Sequence, residues 1–322
     1  MIAMDFRRLF LALVVLSLSS LAACGAPSEG GTPDDHVGTT EQPIDNGMVA
    51  HSFYYMRAAW MGNCTGTKIG THFVLTAAHC VPNMSDTVLF YPSGPIPDPT
   101  ASRKVKAVFL RGGVNPPDDL DDVFGVFSDL AVVELETPYT DGNTATMAWN
   151  YPGKDINGTQ VGAGLINGSG NDSHVLETVT DTTASDSDDG HFLTWSGNVD
   201  HGDSGGPFYH DWRVTGDLSG YTWDWGYRSV YTSVPAHLNW ILATMGWQWS
   251  GQVDQDLVRI GHQSDLVLGY PFAPVTERVC QYACKNSASC VAYTLMPGGS
   301  ICELFDSVTG SVNLPGASSA LM

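Results

Sequence analysis

One short stretch, Gly202-Asp203-Ser204-Gly205-Gly206-Pro207, constrains this chain more than any other. Glycines on both sides of a single hydroxyl let the backbone turn tightly, expose Oγ, and aim the N–H groups of Gly202 and Ser204 at one point. A serine hydroxyl is a weak nucleophile near neutral pH, so a reactive one needs an adjacent base and donors for the oxyanion it creates. Two distant stretches hold suitable partners. Thr76-Ala77-Ala78-His79-Cys80 follows the apolar run Phe73-Val74-Leu75, and Ser128-Asp129-Leu130-Ala131-Val132-Val133-Glu134-Leu135 sets an aspartate at the start of a strand-like run. Read alone, the glycine-rich string also fits an ordinary tight turn.

Taken together and in this order, the three motifs resemble those of the trypsin/chymotrypsin-like serine proteases, over roughly residues 44 to 248. That resemblance implies a mainly β protein with two six-stranded antiparallel β-barrels. It makes Ser204 the nucleophile, His79 the general base and acid, Asp129 the residue that fixes the imidazole tautomer, and the Gly202 and Ser204 N–H groups the oxyanion donors. Ile44-Asp45-Asn46-Gly47 resembles the family's mature N-terminus, whose freed ammonium pairs with the aspartate before the serine, here Asp203. Two positions depart from the pattern: Asp45 replaces an apolar residue, and Pro43 stands where a zymogen usually has Arg or Lys. In the specificity pocket the resemblance sets Asn198 at the base, with Asp200, His201, Ser219, Tyr221 and Ser229 around it. Ser219 to Tyr221 would be the edge that binds an extended substrate by strand addition. An amide at the base does not support a preference for Lys or Arg, although a small gap in the pattern brings Asp200 nearer to it.

The runs around these motifs read as strands and one helix. Cys64 to Thr76 is a hairpin interrupted at Gly70, which makes Cys64 and Cys80 face each other and pins the loop carrying His79. Such a closure stabilises by about 3 kcal/mol in the chain-entropy model. Leu130 to Val133 is apolar without alternation, as in a strand buried on both faces, and Leu238, Ile241 and Leu242 fall at helical spacing after Pro235. Two acidic runs, Asp118 to Asp122 and Asp181 to Asp189, lack the ligand spacing of a Ca2+ loop and are expected as solvated surface.

Four of the seven cysteines cluster at Cys280, Cys284, Cys290 and Cys302. Cys280 and Cys284 lie one helical turn apart behind the helix-start pair Thr276-Glu277. The pattern resembles PAN/apple domains, small disulfide-linked α+β modules that bind proteins or carbohydrates. The likeness implies the pairs Cys280-Cys302 and Cys284-Cys290, whereas the residues alone allow three connectivities. Zinc is the competing use of four cysteines, disfavoured in an exported chain without a nearby histidine.

At the other end, Arg7-Arg8, the apolar run Leu9 to Leu16 and the tetrad Leu21-Ala22-Ala23-Cys24 resemble a bacterial lipoprotein signal, with Cys24 lipidated after cleavage. The expected order is a signal peptide over 1–23, a tether or propeptide over 24–43, the protease domain over 44–249 and the PAN/apple-like module over 254–322. The location follows: exported, on the bacterial cell envelope through Cys24, or secreted. With 34 Asp+Glu against 14 Lys+Arg the net charge is −20, which repels nucleic acid and anionic membrane surfaces. Membrane contact is therefore expected only through the lipid. No cofactor or metal is expected, and the partners are a protein or peptide substrate and a ligand of the last module. The alternative is a catalytically silent binding or adhesion protein on a protease scaffold.

Overall fold

The computed structural model describes residue 44 and residues 47–111, 129–164, 174–184, 190–222, 227–269 and 274–322. The signal and tether, Cys24, Pro43, Asp45, the acidic run 118–122 and residues 185–189 lie outside them. Residues 41–322 form one compact unit.

The first half is a closed barrel. Its strands are β2 (Ala58–Trp60), β3 (Thr65–Gly70), β4 (Phe73–Thr76), β5 (Thr87–Phe90), β6 (Asp98–Leu110) and β7 (Ala131–Leu135), in the order β2-β3-β4-β7-β6-β5. Closure comes from β2 against β5, with Ala59 opposite Phe90. β7 lies between β4 and β6 with both faces covered, which is why Ala131-Val132-Val133 shows no alternation and is fully buried, whereas β6 has no fully buried residue. Cys64 joins Cys80 across the hairpin end, and both sulfurs pack in the barrel core with Val74, Val88 and Val133.

The second half departs from the expected second barrel. An eight-stranded sheet runs in the order β1 (Met48–Val49), β10 (Glu177–Thr182), β9 (Asn157–Gly162), β12 (Pro207–His210), β13 (Arg213–Thr222), β14 (Arg228–Ser233) and β11 (His191–Leu193). The short β8 (Thr146–Met147) lies beside β13. This sheet stays open: among the described residues the chain just past β10 meets the chain just past β11 at a single bridge, Thr183 to Thr194. Beside that bridge the Asp181 carboxylate accepts from Ser196 N at 3.3 Å, Ser196 Oγ at 2.7 Å and Gln160 Nε2 at 2.5 Å. Asp181 is 7% exposed, so the acidic run that begins there does not start as solvated surface.

Helix α1 (Ser52–Tyr55) is a single turn near the chain entry, and α2 (Val234–Thr244) follows β14. Ser233 caps α2 by accepting from Ala236 N, and Pro235 stands in its first turn, where a missing N–H costs nothing. Its face of Leu238, Ile241 and Leu242 is fully buried.

The last quarter is a three-stranded sheet, β15 (Asp254–Leu268), β17 (Ile301–Leu321) and β16 (Ala292–Leu295), with α3 (Glu277–Asn286) against it. Thr276 caps α3 by accepting from Val279 N. Cys280 joins Cys302 and Cys284 joins Cys290. These elements do not hang from a hinge. Val267, Val279, Tyr282 and Leu304 share one core with Val214, Leu238 and Ile241. Tyr282 Oη accepts from Met147 N at 2.9 Å, Trp149 Nε1 donates to Asp265 at 3.2 Å, and Thr276 Oγ1 donates to Asn239 at 2.7 Å.

Candidate active site

The loop 202–206 leads into β12 of the open sheet and is tied to β3 of the barrel hairpin. Gly202 and Gly205 have φ of +95° and +77°, the left-handed region that a side chain rarely adopts. Thr65, the first residue of β3, holds the loop from the barrel side: its N–H donates to Ser204 O at 2.9 Å and its hydroxyl to Gly202 O at 2.9 Å. Within the loop, Asp203 N, Gly205 N and Gly206 N donate to Asp200 O, Leu218 O and Asp203 O. Among the described residues, no acceptor is paired with the N–H of Gly202 or of Ser204. The two amides that the sequence singled out are thus left available.

His79 follows β4 in a short 3-10 turn, and Asp129 precedes β7, the neighbour of β4 in the barrel. That adjacency brings together residues 50 positions apart. His79 Nδ1–H donates to Asp129 Oδ2 at 2.6 Å, and the His79 backbone N–H donates to Oδ1 at 2.9 Å. A third donor arrives from the other half, Ser219 Oγ–H on β13, at 2.5 Å from Oδ2. Burial pushes the Asp129 carboxyl up, but the His79 hydrogen bond and charge, together with Ser219, outweigh it and hold it below its usual range. The aspartate is ionised, and the imidazole bonded through Nδ1 leaves Nε2 as its other ring atom. No hydrogen bond joins Nε2 to Ser204 Oγ in this structure; the ring nitrogen lies 3.8 Å from Cys80 Sγ. Cys64, His79 and Cys80 bring ligand-type atoms within 4.8 Å of one another, yet both sulfurs are spent in their disulfide.

Beneath the loop, the Asp203 carboxylate accepts from Asp200 N at 2.9 Å and Gly164 N at 2.8 Å. It fills the space that a side chain at Gly162 would need. Burial drives this carboxyl well above the ordinary range, the two N–H donors pull it down, and the nearby Asp200 and Glu177 add to the rise. Ile44 is fully buried; its carbonyl accepts from Gly47 N at 2.7 Å. A Cβ on Gly47 would lie 2.9 Å from Glu177 Oε2, a buried oxygen without a partner.

A sequence model of the family described as trypsin matches residues 37–241. The chain belongs to the trypsin family. As a family member it is a serine endopeptidase, a hydrolase of peptide bonds. Solved structures share the fold at low identity. Mouse brain neuropsin, a serine protease, is 20% identical with a TM-score of 0.51, the match covering 63% of this chain and 100% of that one. A mutant of human heparin binding protein (CAP37) is 18% identical with a TM-score of 0.53, covering 65% and 100%. No curated protein matches the sequence.

Around the expected specificity pocket of this trypsin-family chain, Asn198 Nδ2 donates to Ser196 Oγ at 2.7 Å, and Ser229 Oγ donates to Ser196 O at 3.0 Å. Asp200 N donates to Asp203, while the exposed His201 ring bonds Asp200 Oδ1 at 2.9 Å. Ser219 turns its hydroxyl to Asp129, so it serves the Asp129 carboxylate. The Tyr221 ring packs against Tyr227 at a tilt of 54°, with ring centroids 5.0 Å apart. Sequence reading passed over Ser196 and Tyr227. Tyr227 Oη donates to Val199 O at 2.8 Å, and its ring lies against Gly197, which ties the segment 196–199 to the start of β14. The signal was a small residue, Gly197, at the spacing where an aromatic two positions before Ser229 needs room.

Proposed function

We propose that this protein cleaves peptide bonds through an acyl-enzyme, with Ser204 as nucleophile, His79 as general base and then acid, and Asp129 orienting the imidazole. The bond of 2.6 Å between His79 Nδ1 and Asp129 carries this reading, because it selects the tautomer whose Nε2 can take a proton. The unpaired N–H groups of Gly202 and Ser204 support an oxyanion hole, each donor lowering the barrier by about 3 kcal/mol. A catalytic hydrogen bond such as Ser204 to His79 commonly tightens only in the substrate complex.

Activation rests on the pair Ile44 and Asp203. A buried Ile44 and a buried carboxyl with only backbone donors favour a new α-ammonium at Ile44 as the missing charge partner. The edge of β13 beyond Leu218 pairs with β14 on one side, which suits strand addition by a peptide at Ser219 to Tyr221. Residues 254–322 are a PAN/apple-like module that binds a protein or carbohydrate. The chain is exported, with a lipid at Cys24 as the membrane attachment of the form not yet cleaved before Ile44.

A fluorophosphonate probe tests the chemistry. Labelling that disappears in Ser204→Ala supports the hydrolase, and absence of labelling in the mature chain supports a silent binding protein instead. Mass spectrometry of the mature N-terminus reads the anchor and the cleavage before Ile44 in one measurement.

A further inference from the structure

Beside Asp129 lies a row of polar side chains that the hydrolytic chemistry leaves unused. Asp217 on β13 stands opposite Thr232 on β14, and Thr232 stands opposite His191 on β11. Directly opposed residues of antiparallel strands share a face with Cβ atoms about 4.5–5.5 Å apart. The three side chains therefore form one row across the sheet, at 0%, 0% and 8% exposure. Its centre touches the active site, since Thr232 Oγ1 donates to Asp129 O at 3.3 Å.

Both carboxyl oxygens of Asp217 and Nε2 of His191 are buried without a hydrogen-bond partner. Interiors pair the great majority of such groups, so this many exceptions in one place require a reason. A carboxyl with no donor to either oxygen does not stay ionised in a protein core next to the Asp129 carboxylate. Burial first, then the Asp129 charge, push Asp217 well above the usual carboxyl range. Its proton makes it a donor. Thr232 Oγ1, whose own hydrogen goes to Asp129 O, keeps lone pairs to accept it.

We propose that Asp217 is a positioning residue for Asp129, its carboxyl O–H donating to Thr232 Oγ1 and so fixing the hydroxyl that holds the Asp129 backbone. One side-chain rotation, or one enclosed water, spans the gap between opposed residues. Asp129 is then held three ways: at its carbonyl through this row, at its carboxylate by Ser219, and by His79. Asp217 faces one charged group, the ionised Asp129 carboxylate from the loop before β7, which opposes a second negative charge. Its other neighbours are Ser219 on its own strand, Thr232 from β14 and, across Thr232, His191 from β11, with His237 from α2 coupled to His191. Burial lowers the two imidazoles to about 4 and about 3, with Arg111 at the end of β6 adding to the fall at His237.

The inference rests on the hydrolytic reading for its consequence but not for its measurement. The full-length mature chain is compared with Asp217→Val, Asp217→Asn, Thr232→Val and the double Val variant. Two readouts are taken: the low-field proton resonance of the His79 Nδ1–H to Asp129 bond, titrated with pH, and the rate of fluorophosphonate labelling. Asp217→Val is expected to fold and melt at or above the wild-type temperature, yet to shift the resonance and slow labelling roughly tenfold. Thr232→Val should do the same, with the double variant no slower than either. Asp217→Asn, which still presents a donor, should recover most of the lost rate without moving the His79 titration midpoint. A midpoint lowered by about half a unit or more in Asp217→Asn means a charged Asp217 and overturns the proposal. So does an Asp217→Val chain that labels as fast as wild type with an unmoved resonance. If wild type takes no label at all, the hydrolytic reading fails and the resonance alone decides the positioning role.

Discussion

Replacing His237 with phenylalanine should make the protein progressively more acid-resistant than wild type. His237 is 5% exposed, and the hydrogen bond it makes with the Gly190 backbone only partly offsets its burial. In the unfolded chain it titrates near 6.5; in the fold, burial first and then Arg111 and His191 hold it down to about 3. Between those values the unfolded state binds a proton that the native state does not. Stability from this group is complete above 6.5 and falls as the pH drops, by about 1.4 kcal/mol per pH unit. From neutral pH to about pH 5 the loss is about 2 kcal/mol, equivalent to roughly 3 °C in melting temperature for a chain of this size. Phenylalanine fills similar space and carries no proton. Buried acids with raised values, Asp203, Asp217 and Glu177, tilt the wild-type curve the other way, so the difference between variant and wild type is the quantity to measure. Thermal melts of both chains at about pH 8, 6 and 5 supply it. A difference that widens by a few degrees towards acid is expected; one that stays constant over this range refutes the reasoning.

Glu177→Gln should show the opposite trend, because burial raises this acid from 4.5 to about 7 and its native-state penalty grows as pH rises through that window. The variant should out-melt wild type at about pH 8 and match it near pH 4; equal offsets at both count against a strained carboxyl. Ser219→Ala removes the donor 2.5 Å from Asp129 Oδ2, a bond to a charged group worth about 1.5–3 kcal/mol. Peptidase activity should drop about 10- to 100-fold with little change in melting, and an unaltered rate refutes the contact's importance. Gly162→Ala drives a methyl into the Asp203 carboxylate and should cost about 1–3 kcal/mol by overpacking, read in urea unfolding. Converting Cys64 and Cys80 together to serine opens a closure of 16 residues and should cost about 3 kcal/mol on the same assay.

Local pattern alone was enough for several elements. Leu130 to Val133 announces a strand buried on both faces, and Thr276 before Glu277 announces a helix start, because propensity and capping act within a few residues. The family likewise follows from short motifs around His79, Asp129 and Ser204, whose match extends over 37–241. The second barrel expected from that likeness does not form, since among the described residues the chain just past β10 and the chain just past β11 meet at one bridge, Thr183 to Thr194; and Asp181, read as part of a solvated acidic loop, is buried and satisfies Ser196 and Gln160.

What the chain order left undecided was which polar groups lose their water. Nothing local to Asp217 distinguishes it from a surface aspartate; the row it joins exists only because β11, β14 and β13 lie side by side. The contact of Ser219 with Asp129 spans 90 positions and the two halves of the fold. Hydrophobic runs and caps are properties of neighbouring residues, so the sequence determined the strands, the helices and the motifs by itself. Desolvation and charge coupling depend on residues far apart in the chain, so the tertiary structure alone decided which carboxyls and imidazoles are held neutral and which remain charged.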